Sequence, residues 1–492
     1  MVVLLVCLVL TALVVVEVRA DVASDKIDPW LLEKALDGEA LEYLVVLSAQ
    51  AHLEALRGMR SRRGKLTAAH ESLREMAGAT QKPLIKFLEE HDVEYRSFWI
   101  ANALWVRSDA DLMQQLAQRK DVRSIDANRE SAMQGPVSKQ QAVAAKTIEW
   151  NIALIGAPDV WALGFTGEGA VIGGQDTGYD WDHPALKNSY RGWNGGNANH
   201  NYNWHDSIHV NNGQCNGDSA SPCDDDSHGT HTMGTMVGDD GGANQTGVAP
   251  GAKWIGCRNM NMGAGTPASY MECFQWFLAP TDLNDQNPDV GKAPHVINNS
   301  WGCPGFEGCD APDALLVTVR NTRAAGIVVV VSAGNSGSFC GTVFDPPAIY
   351  AESFSVGATT SADVIAGFSS RGPVTRDGSN RLKPDISAPG VGVRSSVPDV
   401  GYAVFQGTSM AGPHVVGLVA LLISAEPSLA GNPDAIEAII RDTAVPLTTT
   451  QDCGGVFGTE VPNNTFGYGR IDALAAVTVA NQTVFRNGFE TP

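Results

Sequence analysis

Residues 326–335 read Gly326-Ile-Val-Val-Val-Val-Ser332-Ala-Gly-Asn335. Five β-branched residues in a row favour a strand. The lack of polar alternation implies that both of its faces are buried, as in a parallel sheet covered by helices on each side. Related apolar runs recur at 170–174, 254–258, 295–298 and 353–358, with helical stretches between them. Residues 150–480 therefore read as one α/β domain with a mostly parallel sheet. Ligands of such sheets gather at the C-terminal ends of the strands, which is where Asn335 closes this run.

Three further segments bring reactive side chains to the same kind of position. Ala170-Val-Ile-Gly-Gly-Gln-Asp176-Thr-Gly178 ends a strand on a carboxylate. Asp224-Asp-Asp-Ser-His228-Gly-Thr-His231 runs from a polar loop into a Gly-, Thr- and Met-rich helix, with His228 at its mouth. Phe405-Gln-Gly-Thr-Ser409-Met-Ala-Gly-Pro413-His414 leads into a long apolar helix, with Ser409 at its N-terminus and Pro413 expected in its first turn.

Each residue also has a bland reading. Asp176 and Asn335 suit turns, Ser409 an N-cap, and the histidines a packed helix. His228 and His231 also share a helix face in the manner of zinc ligands, but the acidic partner motif of zinc proteases is missing. Together the segments supply a carboxylate, an imidazole and a hydroxyl. Nucleophilic serine catalysis needs this set, because serine attacks only when a base takes its proton and a carboxylate orients that base. A lipase-type hydrolase needs its histidine after the serine, and only His414 follows Ser409, inside the same helix. An inactive binding protein would be expected to have lost one of these positions.

These motifs resemble those of the subtilisin-like serine proteases, in the order Asp, His, Ser. Within that family, Ile155-Gly-Ala-Pro-Asp-Val-Trp161 and His183-Pro-Ala-Leu-Lys-Asn-Ser-Tyr-Arg-Gly192 resemble the bacillopeptidase F-like group. The resemblance implies a three-layer subtilisin-like domain and an endopeptidase acting on protein or peptide substrates. It implies Asp176, His228 and Ser409 as the triad and Asn335 as a donor to the oxyanion. It implies substrate pairing along Ser300, Trp301 and Gly302, with Gly263 and Gly265 opposite, and a specificity pocket near Trp301. No cofactor is expected for the chemistry. Structural calcium is an open question: the family's usual aspartate after His-Pro is replaced by Ala185, leaving Asp224, Asp225, Asp226, Asp239 and Asp240 as candidate ligands.

Outside this domain, residues 21–130 hold no cysteine and read as a small α+β unit in the order β-α-β-β-α-β, a ferredoxin-like arrangement. They resemble the family's inhibitory propeptide, the enzyme's own expected partner. Helix is expected from about 52 to 90 and again over 109–119, with strands at 41–47, within 95–107 and at 122–125. Residues 131–149 are polar and Ala-rich and read as a processing linker. The segment 191–223 reads as an Asn/Gly/Asp-rich insertion. Residues 481–492 form a C-terminal tail.

The apolar run 2–16, followed by Val18-Arg19-Ala20, reads as a signal peptide cut after Ala20, giving a secreted bacterial protein. An uncleaved anchor is the alternative. No later run reads as a membrane span. Cys7 leaves with the signal, and eight cysteines remain, an even number that suits disulfides in an exported chain. Short spacings favour Cys215–Cys223 and Cys303–Cys309, leaving Cys257–Cys273 and Cys340–Cys453 among 105 connectivities.

The chain has 492 residues, with 34 Lys+Arg against 54 Asp+Glu, a net charge of -20. Residues 21–146 are nearly balanced, at 18 against 19, whereas 147–492 hold 15 against 34. The acidity thus belongs to the α/β domain. It argues against nucleic acid as a partner and favours a soluble, monomeric enzyme.

Overall fold

The computed structural model describes residues 24–38, 40–133, 135–141, 147–305, 309 and 314–487. The expected signal peptide and the last five residues of the expected tail lie outside them.

The N-terminal unit is a four-stranded antiparallel sheet in the order Glu94–Phe98, Ala103–Ser108, Leu41–Leu47, Val122–Ala127. The expected helix over 52–90 is broken. A short 3-10 turn covers Glu54–Gly58, and helices follow at Arg62–Thr80 and Lys82–Glu90. Ser61 starts the first of these by accepting from Gly64 N, and Pro83 sits near the start of the next, where its missing N–H costs little. Asp109 caps Ala110–Ala117 in the same way.

Side-chain alternation divides the residues of Leu41–Leu47 between two cores. Tyr43, Val45 and Leu47 pack with Leu84, Leu88 and Leu116 inside the unit. Leu44 and Val46 join Trp105, Tyr270 and Phe274 in a core shared with the second unit. Polar contacts also cross that junction: Arg96 pairs with Glu272 at 2.9 Å, and the buried Asn321 Nδ2 donates to Ile100 O at 2.7 Å.

The second unit is built on seven parallel strands. Their order is Ile386–Pro389, Phe354–Thr359, Val328–Ser332, Val296–Asn299, Val171–Asp176, Lys253–Arg258, Trp204–Asp206. The valine run explains the three layers. Val328 and Val330 enter a core with the helices His228–Val237 and Thr408–Ala425; Val329 and Val331 enter another with Pro267–Leu278 and Ala314–Ala324. At roughly 25 cal/mol per Å² of apolar area, such two-sided burial dominates the stability of the domain.

The insertion 191–223 supplies the edge strand Trp204–Asp206, and the buried Arg258 bonds its Asp206 at 3.2 Å. Residues 131–149 carry short strands (Ser131–Ala132, Ser138–Gln141, Thr147–Ile148) paired to the second unit. Finally, Thr408–Ala425 has the length and apolarity of a membrane span, contrary to the sequence reading. It is buried almost throughout, as the central helix of the three layers. Four disulfides are present: Cys215–Cys223, Cys257–Cys273, Cys303–Cys309 and Cys340–Cys453.

Candidate active site

Asp176 ends its strand at the carboxyl edge of the sheet and is fully buried. Gly178 follows with φ +111°, and a Cβ there would sit 1.7 Å from Cys223 O. Only glycine makes this turn. Gly229, one residue into the next helix, packs against Gly178 so closely that its Cβ would meet Gly178 O at 2.0 Å. This contact brings the start of the helix His228–Val237 onto the aspartate loop. His228 Nδ1 there donates to Asp176 Oδ1 at 2.7 Å, with both side chains fully buried. Asp176 Oδ1 also accepts from Thr177 N. His228 Nε2 has no hydrogen-bond partner among the described residues.

His231 is not a second ligand. It stacks on Phe405 at 4.2 Å, and its Nε2 lies 3.2 Å from both Val393 O and Ala403 O. Burial pulls it down to about 3, so it is a neutral packing residue. His414 is likewise structural: its Nδ1 donates to Met410 O, and Asn151 Nδ2 donates to its Nε2.

Ser409 is the second residue of the helix Thr408–Ala425. Pro413 is the sixth residue, not in the first turn as expected. Lacking an N–H, it leaves the Ser409 carbonyl without its intrahelical donor. Ser300 Oγ takes that place at 3.0 Å, and Ser409 Oγ donates back to Ser300 O at 3.1 Å. The serine is therefore tied to the end of the strand Val296–Asn299, and its hydroxyl is turned to that carbonyl rather than to His228.

Asn335 Oδ1 accepts from both Thr408 N and Thr408 Oγ1 at 2.9 Å. With its oxygen held, the Nδ2 group is the side left to donate. Thr408 is an orienting residue that the sequence reading passed over, although it stands inside the Gly-Thr-Ser motif. Asn335 and Ser409 share the wall of a cavity of about 280 Å³ with Ser300, Trp301 and Gly302. Trp301 is stacked on Tyr270 at 3.9 Å.

Gly263 and Gly265 lie on the far side of the cleft. Ala264–Gly265 pairs antiparallel with Ser131–Ala132, and Gly263 O accepts from Met133 N at 2.8 Å. Further along the same segment, Val137 N donates to Gln406 O at 2.8 Å, and Ser138–Gln141 pairs with Gly401–Gln406. The chain's own residues 131–133 and 137–141 thus pair with these two segments.

The candidate calcium ligands do not fit a cation. Asp224 accepts from Thr177 Oγ1, Ser227 N and Thr230 N, and Asp225 from Arg258 and Asn212. Asp226 pairs with Lys139, and Asp239 and Asp240 close glycine turns. No group of three His, Cys, Asp or Glu suited to a metal occurs among the described residues.

The model of the subtilase family matches residues 167–469. The chain belongs to the subtilase family. Similar subtilases include Bacillopeptidase F of Bacillus subtilis, 39% identical over 435 residues. That match covers 84% of this chain but 29% of the relative. Subtilisin E of the same organism is 30% identical over 58% of this chain and 63% of its own length. Alkaline elastase YaB of Bacillus sp. is 31% identical over 64% of this chain and 70% of its own. The chain thus spans under a third of the first of these proteins and under two thirds of the second.

Proposed function

We propose that this subtilase is a serine endopeptidase, exported and made as a zymogen. The observation that carries the reading is the buried Asp176–His228 bond, which fixes the imidazole tautomer and leaves Nε2 free beside the serine helix. In the reaction, Ser409 Oγ turns from Ser300 O to His228 Nε2, gives up its proton and attacks the peptide carbonyl. Asn335 Nδ2 and Ser409 N hold the oxyanion. His228 then protonates the leaving amine, and water resolves the acyl-enzyme. Export is supported by four disulfides, which suit an oxidising compartment. The pairing of residues 131–133 and 137–141 supports inhibition by residues 21–130 before processing. A serine-directed phosphonate should label the enzyme and abolish peptide hydrolysis. Loss of activity to a chelator with no phosphonate labelling would instead point to metal chemistry.

The pH profile follows from the same pair. Burial disfavours the His228 imidazolium, but the Asp176 carboxylate more than reverses this, so the group titrates above its ordinary value of 6.5. The base works only when neutral. Activity is therefore expected to rise as pH climbs through a value above 6.5. In Asp176→Asn that limb should move to lower pH, and the rate should fall roughly 10⁴-fold. Profiles of kcat/KM against pH for both proteins check this.

Asn335→Ala should lower kcat by roughly 10²- to 10³-fold. KM should change little, because the oxyanion exists only in the transition state. Steady-state kinetics on one peptide separate the two constants, and a rise in KM alone would make Asn335 a binding residue.

A further inference from the structure

The cavity beside Ser409 carries a charge that neither the triad nor the oxyanion site uses. Its walls include the apolar side chains of Trp301, Ala333 and Ala348, and Asp345 is exposed to it. Asp345 lies against Gly302: a Cβ at Gly302 would come within 3.3 Å of Asp345 Cβ and 4.0 Å of its Oδ2. The glycine thus leaves the way to the carboxylate open.

Asp345 Oδ1 is buried and accepts no hydrogen bond among the described residues. Arg376 Nη1 stands 3.9 Å from this oxygen and donates to Phe344 O at 3.1 Å. A distance of 3.9 Å is an ion pair across a gap, not a hydrogen bond. Burial pushes the Asp345 carboxyl up to about 6, so at neutral pH it is ionised while partly stripped of water. The oxygen on the Gly302 side is Oδ2, and an ionised carboxylate presented there is best met by a cationic donor, above all by the forked guanidinium. The apolar walls suit the methylene stem that carries such a head group.

We propose that this pocket selects arginine or lysine on the acyl side of the cleaved bond, with Asp345 as the specificity-determining residue. The proposal rests on the serine endopeptidase reading and extends it to a substrate class. An apolar side chain in the same place would strip water from Asp345 and return no hydrogen bond. Sites built to pair a polar group reject analogues that lack it far more strongly than apolar pockets reject a wrong size.

The test uses the full chain after processing. Two chromogenic peptides, identical except for arginine or leucine before the scissile amide, are compared by kcat/KM. The arginine peptide is expected to be favoured roughly 10²-fold. In Asp345→Asn the ratio should collapse toward unity, mainly through loss of the arginine rate. A wild-type preference for leucine overturns the proposal, as does an Asp345→Asn variant that keeps the arginine preference. If that variant does not fold, the wild-type ratio alone decides. Labelling by a small phosphonate without a side chain separates the two readings. A labelled enzyme that prefers leucine sinks only the pocket assignment, whereas an unlabelled enzyme that cuts neither peptide sinks both.

Discussion

Ser409→Ala is expected to abolish peptide hydrolysis, lowering kcat by roughly 10⁶-fold. The hydroxyl oxygen is the only heavy atom removed, and its one hydrogen bond among the described residues is to Ser300 O. The helix start, the Asn335–Thr408 contacts and the Asp176–His228 bond do not depend on it, so the fold should persist. His228→Ala should cost about as much, and the double variant little more, since residues that act as a unit are not additive. The same substitution tests maturation. Residues 131–133 are paired on one side of the cleft, and Val137 is paired to Gln406, three residues before Ser409. Wild-type chain should acquire a new N-terminus between these anchors, and pure Ser409→Ala should remain in one piece by mass spectrometry. A pure variant that still sheds residues 21–130 would rule out self-processing.

The second large effect concerns stability. Cys340–Cys453 closes a separation of 113 residues, against 6 for Cys303–Cys309 and 8 for Cys215–Cys223. In the chain-entropy account, the long loop contributes roughly 5 kcal/mol and the short ones roughly 2 each. The long bond also braces the segment leaving Asn335: Gln451 Nε2 and Arg371 Nη1 both donate to Ser338 O. Replacing Cys340 and Cys453 together by serine should therefore lower unfolding stability by about 4–5 kcal/mol. The same change at Cys303 and Cys309 should cost about half of that. Denaturant unfolding in the Ser409→Ala background, where self-digestion cannot interfere, measures both. Equal losses would mean that local packing, not loop length, sets the value.

Much of the candidate site was legible because it lies in local signals. A run of β-branched residues announces a strand buried on two faces, and the residue ending it falls where ligands bind. Asp176 ends a strand, His228 and Ser409 start helices, and Asn335 follows the strand Val328–Ser332 by three residues, so motif and position agree. Other features carried no such signal. The edge strand Trp204–Asp206 is three residues long and sits in a polar, Asn-rich stretch, below the length at which alternation can be read. Residues 131–141 read as a linker because pairing to a distant strand leaves no periodicity of its own. Pro413 was placed one turn early, because a helix start is set by where hydrogen bonding begins, at Thr408.

By itself the sequence determined the layer architecture, the order of the triad candidates and the location of the acidity, since each follows from residue type and short spacing. Only the tertiary structure decided what faces what. The tie between Ser409 and Ser300 joins residues 109 apart. The grip of Thr408 on Asn335 spans 73. The exposure of Asp345 to the cavity beyond Gly302 depends on a strand, a loop and a helix start meeting at one place. Such contacts arise from packing three layers into one core, and no local pattern of side chains encodes them.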